Sequence, residues 1–162
     1  MSTLPSSMVL QWAMEIERNG EGFYRVAAAQ AKDRDAKLLF EDLAYQEERH
    51  YNVFKRMLDR APAAAGADSA DAGKYRAYLE TALGSALFAG PDKGLKLAKQ
   101  ATDEGEALKA ALAFEKDTLL FFYDVREMVA EAERDAVTAI IEQERSHVRQ
   151  IAQVIEEGPW MN

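Results

Sequence analysis

Gln46-Glu47-Glu48-Arg49-His50 and Gln143-Glu144-Arg145-Ser146-His147 are the two stretches on which the fold of this chain turns. They surround the only two histidines in the sequence. Each histidine follows a glutamate by three positions, Glu47 before His50 and Glu144 before His147. Glutamate occupies about one position in ten, so both coincidences together would arise by chance roughly once in a hundred. On a helix, residues i and i+3 share a face, so a carboxylate and an imidazole at that spacing reach the same small volume. Two such pairs on facing helices can hold two metal ions, with one imidazole on each. A dinuclear site of this kind wants one more carboxylate from each of two other helices, which makes the expected architecture a four-helix bundle.

The sequence offers both carboxylates. Glu17 lies 30 positions before Glu47, and Glu115 lies 29 positions before Glu144. The near-equal separations read as a degenerate internal duplication, each half supplying one glutamate and one Glu-x-x-His. Four carboxylates balance two divalent ions, and two imidazoles complete the donor set. Such an oxygen-rich set with some nitrogen suits iron or manganese, and zinc also accepts these ligands. Taken singly, each histidine would read as a core or surface residue, and Glu17 and Glu115 as exposed charges. The shared spacing is what favours metal ligation.

Tyr24 follows Glu17 by seven positions and stays on its helical face, so its hydroxyl could orient a ligand carboxylate. Tyr123 is a weaker candidate for the same role, and either tyrosine could equally be a core aromatic. Leu119, Leu120, Phe121 and Phe122 read as core or dimer contact. Glu48, Glu142 and Arg145 read as solvated helix-face charges.

Helix formers dominate, and alternation of period two is absent at useful length. A first helix is expected over about Ser7 to Gln30, with Ser6 or Ser7 as N-cap. Gly20 and Gly22 in its interior suggest close approach of a neighbouring helix. A second is expected over about Asp35 to Arg60. Pro62 to Gly73 reads as a flexible linker. A short helix over about Lys74 to Leu83 should follow, then a connection punctuated by Gly84, Gly90, Pro91 and Gly94 with room for one more. Two long helices close the chain: about Asp103 to Ala130, capped by Thr102, and about Glu133 to Glu157, ending at Gly158-Pro159. Two helical pairs joined by a long crossover, about 7–60 and 102–158 around 61–101, make one all-α domain over 1–162.

Composition narrows the function further. With 162 residues, 48% of them apolar, the chain can bury a sizeable core. It has no cysteine, which excludes disulfides, zinc-thiolate sites, cysteine-ligated clusters and a cysteine nucleophile. A formal charge of −8 argues against nucleic acid and against anionic membranes. No apolar run approaches membrane-spanning length, and Met1 to Gln11 carries no signal-peptide pattern, so a cytoplasmic location is expected.

The stretch Glu15-Ile16-Glu17-Arg18-Asn19-Gly20-Glu21-Gly22-Phe23-Tyr24, followed by Leu43-Ala44-Tyr45-Gln46-Glu47-Glu48-Arg49-His50, resembles the rubrerythrin family of ferritin-like proteins. So does Glu115-Lys116-Asp117-Thr118-Leu119-Leu120-Phe121-Phe122-Tyr123 followed by Glu144-Arg145-Ser146-His147. The resemblance implies a ferritin-like bundle and a non-haem di-iron site with Glu17, Glu47, His50, Glu115, Glu144 and His147 as ligands. It implies reduction of hydrogen peroxide with electrons from a rubredoxin-like partner, or oxidation of ferrous iron by dioxygen, and it implies a homodimer. Two departures matter. No cysteine-bearing rubredoxin domain is present, so electrons must come from another protein. Thr118 stands where rubrerythrins carry a further glutamate, which leaves a symmetric six-ligand set and weakens peroxide reduction as a specific expectation.

Overall fold

The computed structural model describes residues 4–62, 70–82 and 93–161. Six α-helices run through them, with no strand among the described residues: α1 (Ser6–Gln30), α2 (Arg34–Arg60), α3 (Ala70–Ala82), α4 (Lys93–Gln100), α5 (Glu104–Met128) and α6 (Arg134–Glu157). The long helices α1, α2, α5 and α6 form the bundle. The three-residue turn between α1 and α2 makes them antiparallel neighbours with the most extensive packing among the described helices, and α5 also pairs with α6. Contacts of α1 with α5 and of α2 with α6 join the two pairs. α4 lies against α1 and touches α5.

Two apolar clusters fill the bundle, and they leave a gap. One holds Val9 to Ile16 of α1, Phe54 and Met57 of α2, Phe121 to Val125 of α5 and Val137 to Ile141 of α6. The other holds Phe23 to Ala28 of α1, Ala36 to Ala44 of α2, Ala107 to Ala111 of α5 and Ile151 and Ile155 of α6. On every long helix the interval between the two clusters is the polar segment: around Glu17, around Glu47 and His50, around Glu115, and around Glu144 and His147. Burying ionisable groups there is unfavourable by several kcal/mol per ion unless they are paired. The apolar layers above and below offset that cost and exclude water from the segment between them.

Helix ends differ from the sequence expectation in ways local chemistry explains. α1 begins at Ser6, with Pro5 at the N-cap and no side-chain cap bond, so neither Ser6 nor Ser7 caps it. Pro5 has the fixed φ of an entering chain and needs no N–H partner. α2 is capped by Asp33, whose carboxylate accepts from the Ala36 N–H at 2.9 Å. α5 is capped by Asp103 rather than Thr102: its carboxylate accepts from the Glu106 N–H at 2.8 Å, and the Thr102 N–H donates to Glu106. A side chain one residue nearer the helix reaches the orphan amides better. We expect Asp33→Ala to lower stability by about 1 kcal/mol, read as a shift in the urea midpoint at unchanged slope.

The segment read as linker is partly helical. Residues 70–73 belong to α3, whose alanines favour helix and whose Ala72 and Leu79 are buried. Tyr75 stacks on Trp12 with ring centroids 6.1 Å apart, and its hydroxyl donates to Asp124 at 2.6 Å. These contacts, which the linker composition does not announce, fix the helix to α1 and α5. Gly84, Gly90 and Pro91 lie outside the described residues, while Gly94 falls within α4.

Candidate metal centre

Each long helix turns one polar segment into the gap between the two cores. Glu17 comes from α1, Glu47 and His50 from α2, Glu115 from α5, and Glu144 and His147 from α6. All six side chains are buried, the four glutamates at 0% exposure. Ligand atoms of Glu17, Glu47, His50 and Glu144 lie within 4.8 Å of one another, and so do those of Glu47, Glu115, Glu144 and His147. Glu47 and Glu144 belong to both sets. The six residues singled out from the sequence therefore meet in one place, as two four-donor sets that share two carboxylates.

Glu144 sits between the imidazoles and gives one oxygen to each. His50 Nδ1 lies 2.7 Å from Glu144 Oε1, and His147 Nδ1 lies 2.8 Å from Glu144 Oε2. The same nitrogens face the other carboxylates: His50 Nδ1 lies 3.6 Å from Glu17, and His147 Nδ1 lies 3.5 Å from Glu47 and 3.7 Å from Glu115. Both histidines thus present Nδ1 inward. Their rings are nearly parallel, with centroids 5.7 Å apart.

Electrostatics follows from this crowding. Burial raises Glu17 and Glu47 well above the ordinary carboxylate range, and the neighbouring carboxylates add to the effect at Glu47. Burial, with Glu144 behind it, lifts Glu115 to about 7. Burial opposes charge on the imidazoles, yet Glu144 raises His50 to about 9, and Glu115 and Glu144 raise His147 to about 11. Burial would also raise Glu144, but the two imidazoliums hold it well below the usual carboxylate range. Without metal, protons therefore neutralise the site.

Those protons answer the crowding only in part, through a hydrogen bond between Glu17 and Glu47. As carboxylates, both oxygens of Glu17, both of Glu47, and one each of Glu115 and Glu144 are buried without a donor, and Nδ1 of His50 is buried without an aligned partner. The 2.7 Å approach of His50 to Glu144 lacks the alignment of a hydrogen bond. Buried polar atoms are almost always paired, so this many orphans aimed at one volume fit ions in the middle. Four carboxylates also match the charge of two divalent cations.

Around this set the structure sorts the remaining candidates. Tyr24 is fully buried and its hydroxyl donates to Glu115 across the bundle. Burial and the nearby carboxylates push the phenol further up, so it stays a neutral donor. Tyr123 is 38% exposed beneath Arg126 and takes no part. Phe121 and Phe122 are core, while Leu120 is exposed. Glu48, Glu142 and Arg145 are exposed, with Arg145 paired to Glu142 at 2.9 Å. Thr118 is buried one turn from Glu115 and donates to the Phe114 carbonyl at 2.9 Å, adding no carboxylate.

Gly20 proves to be part of the site's packing. A Cβ there would stand 2.8 Å from Glu47 Oε2 and 3.0 Å from Phe114. The close approach expected of a neighbouring helix is thus an approach to a site carboxylate. Gly22, by contrast, has ordinary room beside Leu95. Alanine at an exposed helix position gains roughly 1 kcal/mol over glycine; at position 20 it must displace Glu47. We expect Gly20→Ala to leave the metal-free protein within about 1 kcal/mol of wild type. Its affinity for divalent ions should fall at least about tenfold, read by competitive metal titration beside urea denaturation.

The rubrerythrin family model matches residues 8–155. This chain belongs to the rubrerythrin family. The match spans both helical pairs and the crossover between them. Among solved structures, the fold of this rubrerythrin-family chain is shared by a Thermotoga maritima protein described, provisionally, as a ferritin-like diiron-carboxylate protein. The two align with a TM-score of 0.69 and 24% identity over 97% of this chain and 98% of the other. A comparison with curated proteins gives no significant match. The described helices include none long and apolar enough to cross a membrane. Family membership together with the buried carboxylate–histidine cluster fits a di-iron protein.

Proposed function

We propose that this protein is a non-haem di-iron oxidoreductase that reacts with hydrogen peroxide or dioxygen. Electrons would come from an external donor such as a rubredoxin-like protein. The observation that carries the reading is the convergence of orphaned, buried donors from four helices on one volume. Glu17 and His50 would serve one ion, Glu115 and His147 the other, and Glu47 and Glu144 both. Two irons so held supply two-electron redox chemistry at a water-excluded site. Family membership favours iron, and manganese or zinc would also suit the donors.

The chain's own residues do the rest. The two apolar layers keep bulk water away from the reacting volume. Tyr24 holds one oxygen of Glu115 and so fixes which lone pairs face inward. Nδ1 of each histidine is turned to the centre, and Glu144 spans both. These 162 residues hold no cysteine, so the reading calls on an electron donor outside them. A homodimer and a cytoplasmic location complete the proposal, the first testable by light scattering.

Thr118 favours a second reading. With a hydroxyl in place of a seventh carboxylate, the six-ligand set is symmetric, which suits a ferroxidase that oxidises ferrous iron with dioxygen. One experiment separates these readings. Protein purified without oxygen and loaded with ferrous iron should hold about two irons per chain. It should then be mixed with peroxide or with dioxygen in stopped flow. Faster oxidation by peroxide supports the leading reading, and faster oxidation by dioxygen with continued turnover of added iron supports the ferroxidase. Two tightly held ions with no turnover would make the site a metal staple. Absence of stoichiometric metal would end the di-iron reading.

A further inference from the structure

Both histidine motifs begin with a glutamine, Gln46 and Gln143, that the six-donor set does not use. The structure gives Gln143 a partner in the other motif. Its Oε1 lies 2.7 Å from His50 Nε2, so an amide on α6 meets the imidazole of α2. His50 is 2% exposed and its Nδ1 faces Glu17 and Glu144. An amide oxygen can only accept, so the proton of this bond belongs to His50 Nε2. A neutral imidazole protonated at Nε2 keeps its lone pair on Nδ1, the atom turned toward the donors of one ion.

We propose that Gln143 is a positioning residue for the ion at Glu17 and His50, and that it makes the two metal positions chemically unequal. The proposal rests on the dimetal reading above. Accepting a hydrogen bond from the outer nitrogen raises the basicity of the inner one. Tyr24 acts in the opposite sense on the other position: by donating to Glu115 it draws electron density from that carboxylate. The His50 position is thereby the electron-richer of the two. It should bind a divalent ion more tightly and give up its oxidised state less readily.

The bond is made at the edge of the protein. Gln143 is exposed and shares with His50 a cavity of about 380 Å³ between α2 and α6. Ala136 and Ala139 open this cavity because they carry nothing beyond Cβ, and Arg49, Asn52 and Arg56 complete its polar wall. Without an amide at 143, water from this cavity becomes the partner of His50 and holds the ring less firmly.

The test is stepwise titration of the 162-residue chain with Co²⁺, followed by affinity, by the visible spectrum and by thermal melting. Wild type should bind two ions in two resolved steps. Gln143→Leu should weaken one step about 10–100-fold, shift the bands of one ion only, and lower the melting of the metal-free protein by no more than the loss of one hydrogen bond to His50 accounts for. Gln143→Glu, a stronger acceptor, should hold that step at wild-type affinity or tighter, and Gln46→Leu should leave both steps alone. Unchanged steps and bands in Gln143→Leu would overturn the proposal while leaving the dimetal reading intact. So would equal weakening of both steps, or the same effect from Gln46→Leu. A wild type that takes up no ions would overturn both.

Discussion

Glu144→Ala is expected to abolish two-ion binding and to destabilise the metal-free fold by about 3 kcal/mol. No other carboxylate in the centre touches both imidazoles at short range. Its carboxylate is within 2.8 Å of both imidazoles, and it belongs to both four-donor sets. It is also the one site carboxylate held below its ordinary range, so it is the anion that the two imidazoliums face. Removing it leaves two buried cations without their nearest counter-charge, a loss worth roughly 3–5 kcal/mol for a broken buried pair. The lower end applies because either imidazole can release its proton. Glu144→Gln separates the two parts of the effect. It keeps the volume, so a stability loss it shares with alanine comes from charge and not from a cavity. Urea denaturation with chelator present measures the fold, and metal analysis after reconstitution counts the ions. An alanine variant that still holds two ions per chain would remove Glu144 from the ligand set.

The centre was legible in the sequence because its chemistry is rare there. Two histidines, each three positions after a glutamate, admit few arrangements, and their near-equal spacing to Glu17 and Glu115 selects the partner helices. The structure adds what spacing along one helix cannot contain. Gln143 reaches across to the opposite motif, a contact set by the α2–α6 packing and not by any local period. Gly20 reads as a generic small residue until the Glu47 carboxylate is placed against it. Caps went astray by one residue at Thr102 because threonine and aspartate both cap helices, and only geometry decides between neighbours. α3 begins earlier than its composition suggests because Trp12 and Asp124 hold it from other helices.

Raising the pH from 6 to 8 should tighten metal binding and weaken the metal-free fold at the same time. In the free protein His50 titrates at about 9 and His147 at about 11, so both carry protons throughout this window. Glu115 at about 7 and the raised Glu17 and Glu47 hold further protons. Each donor must lose its proton to offer a lone pair to a cation, so loading releases protons and mass action favours it as pH rises. The two imidazolium protons alone make the overall constant for loading both ions rise about a hundredfold per pH unit. The metal-free fold responds with the opposite sign. Its imidazoles and these three carboxylates all bind protons more tightly than in the unfolded chain. That extra stability is complete below the unfolded values and fades as pH climbs through the folded ones. Glu144 has the reverse sign, but its proton is lost below the ordinary carboxylate range and so outside this window. Melting curves at pH 6, 7 and 8, with chelator and with saturating Mn²⁺, should therefore diverge as pH increases. Calorimetric titration in buffers of different ionisation enthalpy should count at least two protons released per chain at pH 7. Curves that stay parallel, or fewer than two protons released, would mean that the imidazoles are already neutral in the free protein and that Glu144 is not their counter-ion.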